Sequence, residues 1–580
     1  MRSFDSLKYH FEKNFKEALM KKQVEIMSSI DNFWLHMDSP TNLMVITGML
    51  AFDEPLDYAR LQETFKNRLL CYDRFKKRVV HPMSGVGNSI WELDPTFDLR
   101  SHLQRVALPA PGGKEQLQEL ISDLTSTPLD PSKPLWQAHY IENYNNGGSV
   151  LFVRIHHCIG DGIALIRVLL AMADIEPNAI WTCNMTEIKG KHESVYDFFP
   201  PLERVVKRIN RAKKRTQKVG GFISKEIESV ISNPGHIIDR AKMVSKHAFD
   251  AASVISKILL LPSDKKTVFK GKLGVRKSVA FSDGVPVSDI KLIGKYFNAT
   301  INDILVSMVT GALRRYLQQR NNLVGDLDIR VAMPINIRPL DSEIKLGNQF
   351  SLILVSLPVH IDDPVLRIRE VQRRLNELKG SPDAAIAYVL LNALGASSAK
   401  LANTAAAMFA NKTSGVMSNV PGPKVPLYFA GTKISDVMFW VPRMGDLALG
   451  ISIISYDGRV SLGIATDTGL VKNPNKILEN FGNEYRMLLG MYRAGQIEKD
   501  PLVINDRFRD KGTAEITKEE TKNGIIQSIR CKAMTRGGSQ CHNRAATDSL
   551  YCTIHQNKYE SFADLEIGAK EEDKDQKASA

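Results

Sequence analysis

The sequence predicts a mixed α/β fold made of two similar halves joined by a helical linker. Three observations carry this. A strand-like run followed by a helix-patterned run occurs twice before about Trp181, at 41–70 and at 149–172. The same vocabulary returns after Gly271, and the stretch 196–268 between the halves is different in kind, strongly basic and patterned only for helix. With 580 residues, 43% of them apolar, the chain exceeds one ordinary core and has ample material for two.

In the first half, TNLMVITGMLAF (41–52) has the β-rich character of a strand. LDYARLQETFKNRLL (56–70) brings Leu61, Phe65 and Leu69 to one helical face by recurring every four residues. SVLFVRIHH (149–157) is a second strand, followed by a helix with Ile163, Ile166, Leu169 and Leu170 directed inward. The second half opens with a strand in KSVAFS (277–282) and continues with helices over 287–297 and 303–317. Strands follow in DIRVAMPINI (328–337) and NQFSLILVSLPVHI (348–361). The run 384–399 is uncharged but diluted by Asn392, Gly395 and two serines, and reads as a buried helix. The half closes with LALGISIISYDGRVSLGIATD, two β-rich runs joined by Asp457-Gly458, a pair suited to a type I′ hairpin turn. The divisions are 1–195, a linker at 196–270, 271–500, a small module at 525–560 and a tail at 561–580, whose GAKEEDKDQKASA composition predicts disorder.

The net charge of +13 points to anionic partners. Within the linker, ERVVKRINRAKKRTQK carries seven bases from Lys207 to Lys218 with no acid, while Val205, Val206 and Ile209 share a helical face. A basic amphipathic helix suits an anionic membrane or lipid-droplet surface, with a solvated linker helix as the alternative. No base-reading element argues for nucleic acid. The first 23 residues mix acids and bases and lack the apolar core of a secretory signal, so a cytoplasmic protein, peripheral at the inner membrane face, is expected. No run reaches the roughly 18–20 apolar residues of a membrane span. Six cysteines in such a length do not make a disulfide framework.

The candidate chemistry lies in RIHHCIGDGIAL (154–165). Strand alternation sends Leu151, Val153, Ile155 and His157 to one face and Phe152, Arg154 and His156 to the other, so the two histidines have different jobs. His157 stands where strand gives way to loop, and a neutral imidazole there accepts a hydroxyl proton at neutral pH. His156 supports it. Asp161 reads as a clamp that needs a cationic or hydrogen-bonding partner, and Gly162 as a hinge giving backbone freedom and close helix approach. Cys158 reads as structural. A hydrogen-bonded core pair or half a metal site is the competing reading of His-His alone.

HHCIGDG matches the His-His-x-x-x-Asp-Gly motif of the coenzyme-A-dependent acyltransferase superfamily, which includes chloramphenicol acetyltransferase and peptide-synthetase condensation domains. With PLDPSKPLW (128–136), ATINDILVSMVTGALRRYL (299–317), PINIR (334–338), LGNQFSLILVSLP (346–358) and SNVPGP (418–423), in that order, the chain resembles the bacterial wax ester synthase/acyl-CoA:diacylglycerol acyltransferase family from about Ile30 to about Tyr492. The resemblance implies two chloramphenicol-acetyltransferase-like mixed-sheet domains with a tunnel between them, in which a long-chain acyl-CoA meets diacylglycerol or a fatty alcohol. His157 would take the hydroxyl proton, with no acyl-enzyme and no catalytic cofactor. It also implies activity roles for Asn302 and Asp303, which a helix-capping role rivals on their own chemistry. Pro134, Leu135 and Trp136 would shape the site, though Trp136 also suits a core. Arg338 would pair with Asp161, and Gly347 and Asn348 would shape a strand near the centre. Two rival readings are the same chemistry on a short alcohol, sterol or amine, and a noncatalytic lipid-surface protein.

Beyond the resemblance, Cys531, Cys541, Cys552 and His555 offer three thiolates and an imidazole, a tetrahedral set suited to a structural zinc, with His542 as a rival ligand and reduced thiols in a flexible tail as the alternative.

Overall fold

The computed structural model describes residues 24–82, 87–178, 261–322, 324–336, 346–380, 387, 391, 399–443 and 445–494. The basic linker stretch, most of 384–399, Arg338 and the Cys531–His555 set lie outside the described residues.

In the first half the apolar runs become β1 (Val45–Phe52), β2 (Leu103–Ala107), β3 (Trp136–Tyr144) and β4 (Gly148–His156). In the second they become β5 (Lys277–Phe281), β6 (Ile329–Asn336), β7 (Phe350–Leu357), β8 (Gly415–Pro421), β9 (Asp436–Trp440), β10 (Leu449–Tyr456) and β11 (Arg459–Asp467). Five strands form one mixed sheet in the order β9-β1-β4-β3-β2, and the larger mixed sheet runs β7-β6-β8-β10-β11-β5. Each sheet contains a tight antiparallel hairpin, β3-β4 and β10-β11, and a parallel neighbour to it, the arrangement expected of two similar mixed-sheet halves. In the second hairpin Tyr456 pairs with Arg459, and Asp457 and Gly458 take φ of 43° and 75°. Two consecutive positive φ values are the signature of the type I′ turn that the Asp-Gly pair predicts.

The halves are interleaved. β9 comes from the second half of the sequence yet pairs antiparallel with β1 of the first sheet, Val437 opposite Leu50 and Phe439 opposite Gly48. It passes close over β11: a Cβ at Gly463 would lie 3.1 Å from Phe439 O and 2.6 Å from Met438 Sδ, so a side chain there would force the crossing strand or Met438 to shift. In return, helix α1 (Ser29–His36) of the first half places Ile30, Phe33 and Trp34 in the same apolar core as Ile304, Met308 and Leu352 of the second. Helix α2 (Lys114–Ser126) covers the free edge of β5, where Ser122 and Ser126 hydroxyls accept the Val279 and Lys277 N–H groups at 3.0 and 2.8 Å. These exchanges bring the end of β4, helix α1 and the chain leading into β7 together.

Candidate active site

β4 ends at His156, and His157-Cys158-Ile159 turn into helix α3 (Gly162–Met172). Asp161 caps that helix, its Oδ1 accepting the Ala164 N–H at 2.9 Å. Its other oxygen, Oδ2, accepts the Gln349 N–H at 2.8 Å, and the Gly347 N–H donates to Ile159 O at 2.9 Å. One carboxylate therefore fixes both the exit of the turn and the segment 347–349 beside it. The clamp role stands on these backbone donors, while the expected partner Arg338 lies outside the described residues.

His157 is held by its backbone from two sides: its N–H donates to Met44 O at 2.7 Å, and its carbonyl accepts Asn348 Nδ2 at 2.7 Å. Asn348 is in turn fixed by Asp31, whose Oδ1 accepts both its Nδ2, at 2.8 Å, and its N–H, at 2.9 Å. Arg74 reaches Asp31 Oδ2 at 3.2 Å, also bonds Glu25, and lies 5.0 Å over the Trp91 ring. Burial pushes the Asp31 carboxyl above its ordinary value against the opposing charge of Arg74. Gly347 has φ of 102°, and a Cβ there would sit 3.3 Å from Asp31 Oδ2, so the position needs glycine on both conformational and steric grounds.

The imidazole of His157, only 7% exposed, stacks on the Trp34 indole with centroids 4.2 Å and planes 15° apart, and Phe350 closes a third side at 5.6 Å. Burial pushes its pKa down to about 4, against the upward pull of the Asp161 charge, so the ring is neutral at neutral pH. Its Nδ1, Trp34 Nε1 and Asn348 Oδ1 are all buried and make no close hydrogen bond among the described residues, although the Asn348 side chain lies near enough to favour the protonated ring. Three unsatisfied polar atoms on neighbouring residues are expensive to keep unless something else meets them.

The other sequence candidates sort as follows. His156 turns away, its Nδ1 accepting the Cys158 N–H at 3.2 Å and its Nε2 lying 3.7 Å from Asp38. Cys158 is fully buried and its thiol is pushed well up, so it is no thiolate nucleophile. Gly162 departs from expectation: its φ is not positive and a Cβ there meets nothing within 4 Å among the described residues, so neither backbone strain nor packing against them requires glycine. What it leaves is open space at the start of α3. Leu135 O accepts the His156 N–H at 2.9 Å, and Trp136 is fully buried, donating to Phe75 O at 2.8 Å and stacking on His102, which makes it core. Asp303 forms a capping box with Thr300 at the head of helix α4 (Ile301–Gln319), and Asn302 Oδ1 accepts Asn419 Nδ2 at 2.8 Å, tying that helix to β8. Trp34, Asp31, Arg74 and Phe350 escaped the sequence reading; the one available signal was Asp31 and Asn32 set in the otherwise apolar IDNFW (30–34).

A wax ester synthase/diacylglycerol acyltransferase catalytic-domain model matches residues 27–305, and the corresponding C-terminal-domain model matches 346–489. The chain belongs to the wax ester synthase/diacylglycerol acyltransferase family. It is accordingly an acyltransferase. Among relatives of this family member are two Mycobacterium tuberculosis proteins named as probable diacylglycerol O-acyltransferases. One, tgs1, is 26% identical over 465 residues, covering 79% of this chain and 93% of its own. The other, tgs2, is 26% identical over 457 residues, covering 76% and 93%. The fold is shared with the wax ester synthase/diacylglycerol acyltransferase of Marinobacter aquaeolei VT8, with a TM-score of 0.57 at 19% identity over 81% of this chain and all of that one. It is shared also with a trichothecene 15-O-acetyltransferase of Fusarium sporotrichioides, with a TM-score of 0.51 at 10% identity over 80% and 94%. The two-half architecture expected of the acyltransferase is thus that of its structural relatives. Among the described residues, no helix is long and apolar enough to cross a membrane.

Proposed function

We propose that the enzyme moves a long-chain acyl group from acyl-CoA to the hydroxyl of diacylglycerol or a fatty alcohol, giving triacylglycerol or a wax ester, with His157 as general base. The observation that carries this reading is the buried, neutral His157 ring, pinned by its own backbone and stacked on Trp34 beside unsatisfied polar atoms. His157 takes the acceptor's hydroxyl proton as the oxygen attacks the thioester carbonyl. The tetrahedral intermediate then expels the CoA thiolate, which receives that proton from the imidazolium. Burial keeps the ring neutral and so free to accept that proton, and makes the imidazolium formed a ready acid toward the departing thiolate. A covalent relay has no candidate in the turn, since Cys158 is a buried thiol. The names of the mycobacterial relatives favour diacylglycerol as acceptor. We further assign the enzyme's working place to an anionic membrane or lipid-droplet surface, on the basic stretch Lys207–Lys218, which lies outside the described residues.

Replacing His157 by alanine and following CoA release with palmitoyl-CoA as donor, and hexadecanol or diacylglycerol as acceptor, tests this. The expected result is a loss of at least about 100-fold in kcat with the fold intact. Unchanged turnover would remove His157 from the chemistry, and turnover of a short alcohol, sterol or amine in preference to both lipids would replace the acceptor.

A further inference from the structure

Arg443 follows the crossing strand β9 and is 5% exposed, yet it has no hydrogen bond or ion pair among the described residues, and its Nε is enclosed without a partner. It lines a cleft between the two sheets together with Leu43, Val45, Thr47, Thr125 and Lys277. The Thr125 hydroxyl is also buried without a partner. Asp467 is the buried carboxylate of this region, and it is already committed. Its Oδ2 accepts Lys277 Nζ at 2.6 Å and the Gly274 N–H at 3.0 Å, and its Oδ1 accepts the Gly469 N–H at 3.0 Å. Lys277 takes the contact with Asp467, and Arg443 feels that carboxylate only through its charge, so two buried cations share one anion and the guanidinium of Arg443 has no contact partner of its own among the described residues. An unpaired buried charge costs several kcal/mol, and a fold keeps one where an anion arrives to pair with it.

We propose that this cleft is an anion site in which Arg443, helped by the Thr125 hydroxyl, binds a phosphate of the acyl-CoA donor's nucleotide moiety. The assignment rests on the acyl-CoA reading above. Val45 lines the cleft and pairs with His156 in the β1-β4 ladder, while its neighbour Met44 holds the His157 N–H. Cleft and histidine therefore lie at the same end of β1, and a CoA thioester carries its phosphates and its reacting carbonyl on one flexible pantetheine arm that can reach both. The guanidinium fork suits phosphate by geometry, and Thr125 adds a donor that a carboxylate-only site would not need.

The test compares wild type with Arg443→Met and Arg443→Lys, in the full-length protein, with two donors: palmitoyl-CoA and S-palmitoyl-pantetheine, which has no phosphate. Arg443→Met is expected to raise KM for palmitoyl-CoA about tenfold or more with kcat little changed, to leave KM for the pantetheine thioester unaltered, and to be partly rescued by lysine. Calorimetry with CoA and with inorganic phosphate gives a readout free of turnover. CoA binding by wild type that is lost in Arg443→Met supports the site even if no acyl acceptor is found, which separates it from the acyl-transfer reading. An equal change for both thioesters, or CoA binding indifferent to Arg443→Met, overturns it. Inorganic phosphate binding that depends on Arg443 without any effect on palmitoyl-CoA kinetics would make this an anion site but not the donor's, and would also overturn it.

Discussion

The His157 imidazole lies against the Trp34 indole, 4.2 Å between centroids, although the two residues belong to elements separated by more than a hundred positions. Trp34 covers one face of the ring and so contributes to the burial that pushes its pKa down to about 4. Trp34→Ala is expected to admit water and move the acid limb of the kcat/KM profile upward from near pH 4 toward the ordinary histidine value of about 6.5. A proton-detected titration of the His157 ring should move by the same amount, whereas loss of activity with an unmoved limb would make Trp34 only a packing residue.

The clamp behind His157 is expected to fail from either end. Asp31→Asn removes one carboxylate from Arg74, which keeps Glu25, and exchanges an acceptor of the Asn348 N–H and Nδ2 for a neutral amide, for a loss of about 1–3 kcal/mol. Asn348→Ala removes the donor to His157 O and one of the two donors from Asn348 to Asp31, for about 1–3 kcal/mol. Because both act on the same network, a double-mutant cycle in urea denaturation should show non-additivity, with the double variant less destabilised than the sum. Additive losses would mean that Asp31 and Asn348 stabilise the fold independently.

Gly347→Ala is expected to lower both stability and turnover. The left-handed φ of 102° disfavours any side chain, and the added methyl would press on Asp31 at 3.3 Å. Gly162→Ala makes the contrasting case, since its Cβ would meet no atom of the described residues within 4 Å. Its thermal midpoint should be unchanged or slightly raised, alanine being the better helix former, while any loss of turnover would report substrate occupying that open space. A large fall in the midpoint of Gly162→Ala would restore the conformational role expected from the sequence.

How much of this could be read from the chain depends on the sequence distance over which each feature is decided. The Asp457-Gly458 turn, the Thr300–Asp303 capping box and the strand-to-helix passage at 149–172 are set by neighbours, and each appears where the local pattern places it. His157, Asp161 and Asn348 were legible through a motif and two ordered segments. Trp34, Asp31 and Arg74 were not, because their meaning arises only when helix α1 inserts into the other half's core. The crossing of β9 was equally invisible: DVMFW is a short apolar run with no alternation, and nothing in it says which sheet it joins.

Two buried histidines make stability depend on pH with a definite sign. His157 and His139 are each pushed by burial down to about 4 from an ordinary 6.5, His139 also by the charge of Arg154. Between those values the unfolded chain takes up protons that the folded one refuses, so each histidine makes stability rise with pH from about 4 to 6.5, by up to about 3 kcal/mol. Asp436 works the other way, since burial lifts its carboxyl to about 6 and the folded state then holds a proton that the unfolded chain releases. Total stability therefore blends both signs, and the informative measurement is a difference. The stability of His139→Gln relative to wild type, by urea denaturation at pH 4.5 and pH 7, should improve at the lower pH, because glutamine carries no proton to lose on folding. An equal gap at both pH values would place the His139 pKa near its ordinary value in the folded protein, and with it remove burial as the force that keeps these rings neutral.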